Sequence, residues 1–231
     1  MKRVAAQCIL FVALFIAGCS KVDSDDLKTD VPYFQGYTVI YDKTVSTTSA
    51  SAFFRVRDLY GARIELSDNN KVEINGAPGK KGIIDHTYYT WQGTGKVDVS
   101  FVLTKNAQTF YNVVKTADVA DITFQGTLPA SFARSGGISF SWLGADTAPG
   151  ETVNAEIAGR NILDTAMTES VSKEFAGRSI SFTTAELQNI RNGTITIILS
   201  RTRSMVLDEY DGTGGGAKEV TLTEQKGATL Y

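Results

Sequence analysis

Few side chains in this 231-residue chain stand at spacings that chemistry uses. His86 is the only histidine, and therefore the only imidazole that can act as a base near neutral pH. It lies in the run Ile83-Ile84-Asp85-His86-Thr87-Tyr88-Tyr89-Thr90-Trp91, which reads as a strand, and no Gly-x-Ser-x-Gly elbow supplies a serine beside it. Ser170-Val171-Ser172-Lys173 has the spacing at which a lysine activates a serine one helical turn away, but the stretch reads as β and no Lys-Thr-Gly element accompanies it. Gly212-Thr213-Gly214-Gly215-Gly216-Ala217-Lys218 misses the phosphate-loop spacing, has no helix after it and reads as a hairpin loop. With one histidine and too few cysteines, zinc lacks its usual three or four ligands. The sequence therefore leads to the expectation of a protein that is not an enzyme and carries no cofactor.

Two clusters remain as binding candidates. Asp208, Glu209 and Asp211 put three carboxylates within four residues, hard oxygen ligands of the kind that Ca²⁺ takes, although their spacing matches no known calcium loop. Tyr88, Tyr89 and Trp91 put three aromatic rings on one predicted strand. Tyr89 and Trp91 fall on one face and Tyr88 on the other with His86, as period two requires. Rings exposed on a sheet are suited to stacking on sugars, or to holding a peptide, whereas rings turned inward are core.

The elements that position these residues begin with an address. Met1-Lys2-Arg3 is followed by an apolar run from Val4 to Phe15 and then by Ile16-Ala17-Gly18-Cys19. Two positive residues, an apolar run too short to span a bilayer and small residues before a cleavage point form a secretory signal peptide, predicted over residues 1–18. Ile16-Ala17-Gly18-Cys19 resembles the lipobox of bacterial lipoproteins. The resemblance implies that Cys19 is acylated, becomes the first mature residue and ties the protein to a membrane. Ser20, where an Asp would favour retention at the inner membrane, resembles an outer-membrane sorting signal. Two or more acyl chains anchor stably, whereas one alone binds marginally.

Cleavage before Cys19 would remove Cys8 and two cations, leaving 213 residues with 21 Lys plus Arg against 25 Asp plus Glu, a net charge of −4. A mild acidic excess without a basic block argues against nucleic acid as a partner, and equally against electrostatic attachment to anionic lipid. Cys19 would be the sole mature cysteine, so no internal disulfide can form and stability must come from packing.

Residues 19–32 comprise the lipidated Cys and a polar, acidic stretch that reads as a flexible tether. From Tyr33 onward apolar residues alternate with polar ones, as in Tyr37, Val39 and Tyr41 or Val99, Phe101 and Leu103, with turns such as Asn75-Gly76 between the runs. The pattern predicts an all-β chain of two tandem antiparallel β-sandwiches, over 33–117 and 118–231, divided near Thr116–Asp121. Only Thr183 to Ile190 breaks it, where Thr183 and Glu186 form a capping box that predicts a turn or two of helix. In strand count and arrangement the chain resembles tandem immunoglobulin-like modules of bacterial surface lipoproteins. The resemblance implies a non-enzymatic protein of the bacterial cell envelope, anchored at the outer membrane and binding an envelope protein or a glycan. An envelope glycan-acting enzyme using paired carboxylates is the competing expectation. Replacing Cys19 by Ser is expected to release a folded protein from the membrane fraction, measured by fractionating cells that make each form; persistence of the variant in membranes would contradict the lipobox reading.

Overall fold

The computed structural model describes residues 20–67 and 69–231, so Cys19, the expected lipidation site, lies outside the described residues. The first half contains β1 (Lys21–Asp23), β2 (Tyr33–Asp42), β3 (Thr47–Val56), β4 (Arg63–Glu65), β5 (Lys71–Ile74), β6 (Ala77–Pro78), β7 (Lys80–Lys81), β8 (Tyr88–Thr94), β9 (Val99–Lys105) and β10 (Gln108–Val114). The second contains β11 (Ile122–Phe124), β12 (Ser131–Phe132), β13 (Ile138–Gly144), β14 (Glu151–Arg160), β15 (Thr168–Glu174), β16 (Ser179–Phe182), β17 (Gly193–Met205) and β18 (Gly216–Leu230). The chain is all-β, as its alternation predicts, and no helix among the described residues is long and apolar enough to cross a membrane.

The strands form one large sheet and two small ones. The large sheet runs β1-β4-β3-β2-β18-β17-β14-β15, with β8 also paired to β3 and β7 to β8. A sheet of β10-β9-β5-β6 faces its first half, and the ring of Phe101 on β9 stacks on that of Tyr37 on β2 at 4.5 Å. A sheet of β11-β13-β16 faces the second half, where Arg201 of β17 reaches across to the Trp142 ring of β13. Between the layers lies one continuous apolar core. The boundary near residue 117 falls at a 3-10 turn, Thr116–Asp118, but the large sheet passes straight from one half to the other. The join is β18, which pairs antiparallel with β17 and parallel with β2, from Gly216 opposite Gln35 to Thr223 opposite Asp42. Gly216 has φ +148, and a Cβ there would collide with the Gln35 carbonyl, so the close approach that starts this ladder needs glycine.

Three local expectations need correction. The stretch read as a flexible tether lies against the body: β1 pairs in parallel with β4, and Ser24 is buried with its Oγ within hydrogen-bond distance of the Ser67 hydroxyl. Val22 and Leu27 pack on the core, and strand pairing satisfies the backbone between the charges. The predicted helix at 183–190 is a run of turns. Its capping box does form, with the Glu186 carboxylate accepting the Thr183 N–H at 2.8 Å, while Leu187 and Ile190 are buried. Too few residues follow before Asn192-Gly193 to repay helix nucleation. The strand expected from Ile83 starts only at Tyr88, because the Asp85 carboxylate accepts the Thr87 N–H at 3.0 Å and closes a turn.

Because core and sheet are continuous, one substitution in each half should act on the same transition. Phe101→Ala and Ile197→Ala, both fully buried, are each expected to cost about 2–5 kcal/mol and to move a single urea transition to lower midpoint. Two transitions moving separately would show that the halves unfold on their own.

Candidate functional site

Alternation gives the large sheet two faces, and among the described residues the small sheets cover only one. On β2, Tyr33, Gln35, Tyr37 and Val39 point into the core, so Phe34, Gly36, Thr38 and Ile40 point away from it. The register extends this outer face across the neighbouring strands. Phe53 lies between Gly36 and Tyr88, Ser51 between Thr38 and Thr90, and Ser49 between Ile40 and Gln92. On the β18 side Glu219 and Thr221 continue the same rows, and β17 adds Thr202, whose Oγ1 is 2.9 Å from that of Thr221.

One end of this face is aromatic. The Phe34 and Phe53 ring centroids are 6.2 Å apart, and those of Phe53 and Tyr88 are 5.8 Å apart, so three half-buried rings form a row across β2, β3 and β8. Gly36 makes the row possible: a Cβ at that position would run into the Phe53 ring, which lies across β2 over the bare glycine. Arg55 and Arg63 border the row, with guanidinium carbons 5.9 Å from the Phe53 centroid and 5.7 Å from that of Tyr88. Further along the strands the face sinks into a shallow hollow of about 680 Å³ floored by Thr38, Ser49, Ser51, Thr90 and Gln92 and walled by Ala77, Pro78 and Lys80. Hydroxyl and amide groups on a flat grid beside aromatic rings can hydrogen-bond a ring of hydroxyls while stacking on its C–H face.

The structure separates the three aromatic residues read from the sequence as one cluster. Tyr88 joins the outer row. Tyr89 is buried, and its hydroxyl accepts the Leu66 N–H at 2.6 Å, while burial raises its pKa to about 12. Trp91 shares the Tyr89 side, is half-buried, lies over Gly93 and only rims the hollow. Phe34 and Phe53 escaped the sequence reading. Their signal was present, since Tyr33-Phe34 and Phe53-Phe54 place aromatic rings on both faces of their strands, whereas a half-solvated strand needs only one apolar face.

The carboxylates of the 208–211 loop do not converge on one point, so the Ca²⁺ reading fails on geometry. Asp208 accepts from Lys218 at 2.6 Å and from the Val113 N–H at 2.9 Å, Glu209 accepts the Tyr111 N–H at 2.7 Å, and Asp211 accepts the Tyr33 N–H at 2.8 Å and Lys105 at 2.6 Å. Among the described residues no group of three or more His, Cys, Asp or Glu could hold a metal ion. Their work is mechanical. Asp208 and Glu209 occupy the free N–H groups along the edge of β10, and buried Asn112 fastens the loop by accepting the Asp208 N–H at 2.8 Å. Other carboxylates are similarly engaged. Buried Arg201 holds Glu151 at 2.5 Å, and Lys173 of the Ser-x-x-Lys stretch pairs with Glu186, on the opposite side of β15 from Ser170 and Ser172. His86 is exposed, 3.7 Å from Glu65.

These partners set the acid response. Hydrogen bonds from Lys21 and then Lys81 hold the Glu65 carboxyl down at about 2 against burial, and a Lys173 hydrogen bond followed by the Thr183 N–H does the same for Glu186. For Glu151, Asp208 and Glu224 burial pushes the carboxyl up, but hydrogen bonds and neighbouring cations outweigh it and each falls below the ordinary range. The chain matches no protein-family model, and no curated protein matches it. A folded-state pKa below the unfolded value contributes stability that is present above the unfolded value and lost as pH falls through the folded one. The urea midpoint should thus hold from neutral pH to about 4.5 and fall between there and about 2, less steeply in Glu65→Gln; a midpoint unchanged at the acid end would contradict these pairings.

Proposed function

We propose that this protein is a lipid-anchored, non-enzymatic component of the bacterial cell envelope, held at the outer membrane through Cys19, that binds a saccharide chain on the outer face of its large sheet. The observation that carries the reading is the row of Phe34, Phe53 and Tyr88 beside the hydroxyl-floored hollow, on a face that no second layer covers among the described residues. A solvated sheet face needs hydroxyls but not three adjoining rings, and the two together match the apolar and hydroxylated faces of pyranose rings. The commitment of Glu65, Glu151, Glu186, Asp208 and Asp211 to internal lysine, arginine and backbone partners supports binding over hydrolysis. A glycosidase needs two carboxyls facing each other across a cleft, one of them with a raised pKa. The lipobox at Ile16-Ala17-Gly18-Cys19 supports the anchor, and the tight body supports a role in presentation, because loops and faces on a rigid scaffold carry specificity.

Affinity electrophoresis through gels containing soluble envelope polysaccharides, together with sedimentation with peptidoglycan sacculi, tests the reading. Retardation or co-sedimentation is expected for the native protein, and Tyr88→Ala or Phe34→Ala should each weaken it about tenfold, the loss of one stacking ring. Retention unchanged in both variants would move the binding site elsewhere.

A further inference from the structure

We infer that the end of the sandwich from which the chain leads back to Cys19 is seated in the membrane surface, with Tyr60, Ile83 and Ile84 entering the lipid. The inference rests on the lipoprotein reading and adds an orientation and a contact surface to it.

The Ser20 carbonyl accepts the Arg63 N–H at 3.0 Å, and Lys21 pairs with Arg63 from the next position on. The fold thus begins one residue after the acylation site, and one trans peptide spans only about 3.8 Å between Cα atoms. An acyl group at Cys19 would therefore bring this end of the body to the lipid with no slack. The same end carries the strongest apolar exposure in the first half. The turn leading into β4 leaves Tyr60 89% exposed, and the loop before β8 leaves Ile83 96% and Ile84 100% exposed. An Arg63–Asp85 ion pair fastens that loop beside β4 and hence beside Ser20. Two adjacent isoleucines held out by a turn do nothing for the core. At a lipid surface they insert, and tyrosine is at home at headgroup level.

Most of the charges around them are engaged within the body. Lys21 and Lys81 share Glu65, Arg63 pairs with Asp85 and Arg55 donates to the Gly61 carbonyl, while exposed Arg57 and Asp58 are of opposite sign and the His86 ring lies near Glu65. The occupant of this surface is accordingly the neutral acyl–headgroup boundary, and an anionic lipid is not required. At the opposite end of the sheet the β14–β15 hairpin exposes Leu163 at 93%, which serves as the internal control because that end points away from Ser20.

The mature chain has no cysteine other than Cys19, so an introduced cysteine is a unique free thiol once Cys19 is acylated. Full-length lipidated Ile84→Cys, Tyr60→Cys and Leu163→Cys proteins, labelled with an environment-sensitive fluorophore, are reconstituted into vesicles of pure phosphatidylcholine. The expected result is a blue shift and a several-fold rise in emission at positions 84 and 60 but not 163, unchanged by salt or by added phosphatidylglycerol. Acylated, vesicle-bound protein whose labels at 84 and 60 stay water-exposed would overturn the seat while leaving the anchor intact. A mass spectrum without acyl groups, with a second labelled thiol at Cys19, would overturn the anchor and the seat with it. Dependence on phosphatidylglycerol would replace apolar insertion by charge attraction and so overturn the chemistry assigned here.

Discussion

The parallel ladder between β2 and β18 is the constraint on which the rest of the structure depends. Parallel neighbours cannot be joined by a hairpin, and here the crossover is the entire chain from residue 43 to residue 215. The first long strand and the last are thereby fixed side by side at the centre of the large sheet, with β3 outside one and β17 outside the other. The two small sheets can each cover only one side of this frame, so their packing decides which face becomes core. Among the described residues no second sheet covers the other face. The platform of Phe34, Phe53 and Tyr88 follows from that choice, its three strands held in register by the β2–β3 hairpin and the β3–β8 pairing.

Many groups that look chemical in the sequence are spent on holding these layers together. Arg201 is fully buried and bonds the Ala145 and Asp146 carbonyls at 2.8 Å each, as well as Glu151, so one side chain of the large sheet ties down the loop between β13 and β14. Lys105 does the same for the first half, reaching the Val31 carbonyl at 2.7 Å and Asp211 while lying 4.5 Å above the Tyr33 ring. A buried pair of this kind adds little net stability over an apolar equivalent, but losing one partner strands the other without water. Specific geometry is the gain: each cation holds one loop at one place against the large sheet.

The faces of the strands were legible in the sequence, and their partners were not. Val99, Phe101 and Leu103, or Ile195, Ile197 and Leu199, turn inward as their period predicts, because burial of one face is a local property of a strand. Nothing in the alternation of Tyr37 and Val39 says that Lys218 and Val220 lie beside them, since pairing across so much chain leaves no local trace. The same distinction explains the site. Tyr88, Tyr89 and Trp91 could be divided between two faces by counting, but which face would be covered depended on the small sheets. Residues 20–32 misled for a related reason: their composition lacks a hydrophobic face, yet strand pairing with β4 and two apolar anchors suffice to place them.

On the proposed seating, with the membrane at the end where β1, β2, β4 and β8 begin, the strands of the large sheet would rise away from the lipid, β2 alone by about 33 Å. The uncovered face would then stand along the membrane normal, with the aromatic row near the lipid and the hydroxyl hollow above it. That a saccharide chain binds this face is the central claim. Amide and side-chain chemical shifts recorded while titrating the protein with soluble envelope oligosaccharides test it most directly. The account predicts perturbations confined to the outer residues of β8, β3, β2 and β18, centred on Phe53 and Ser51; perturbations at the β15 edge or the loops with that face silent would contradict it.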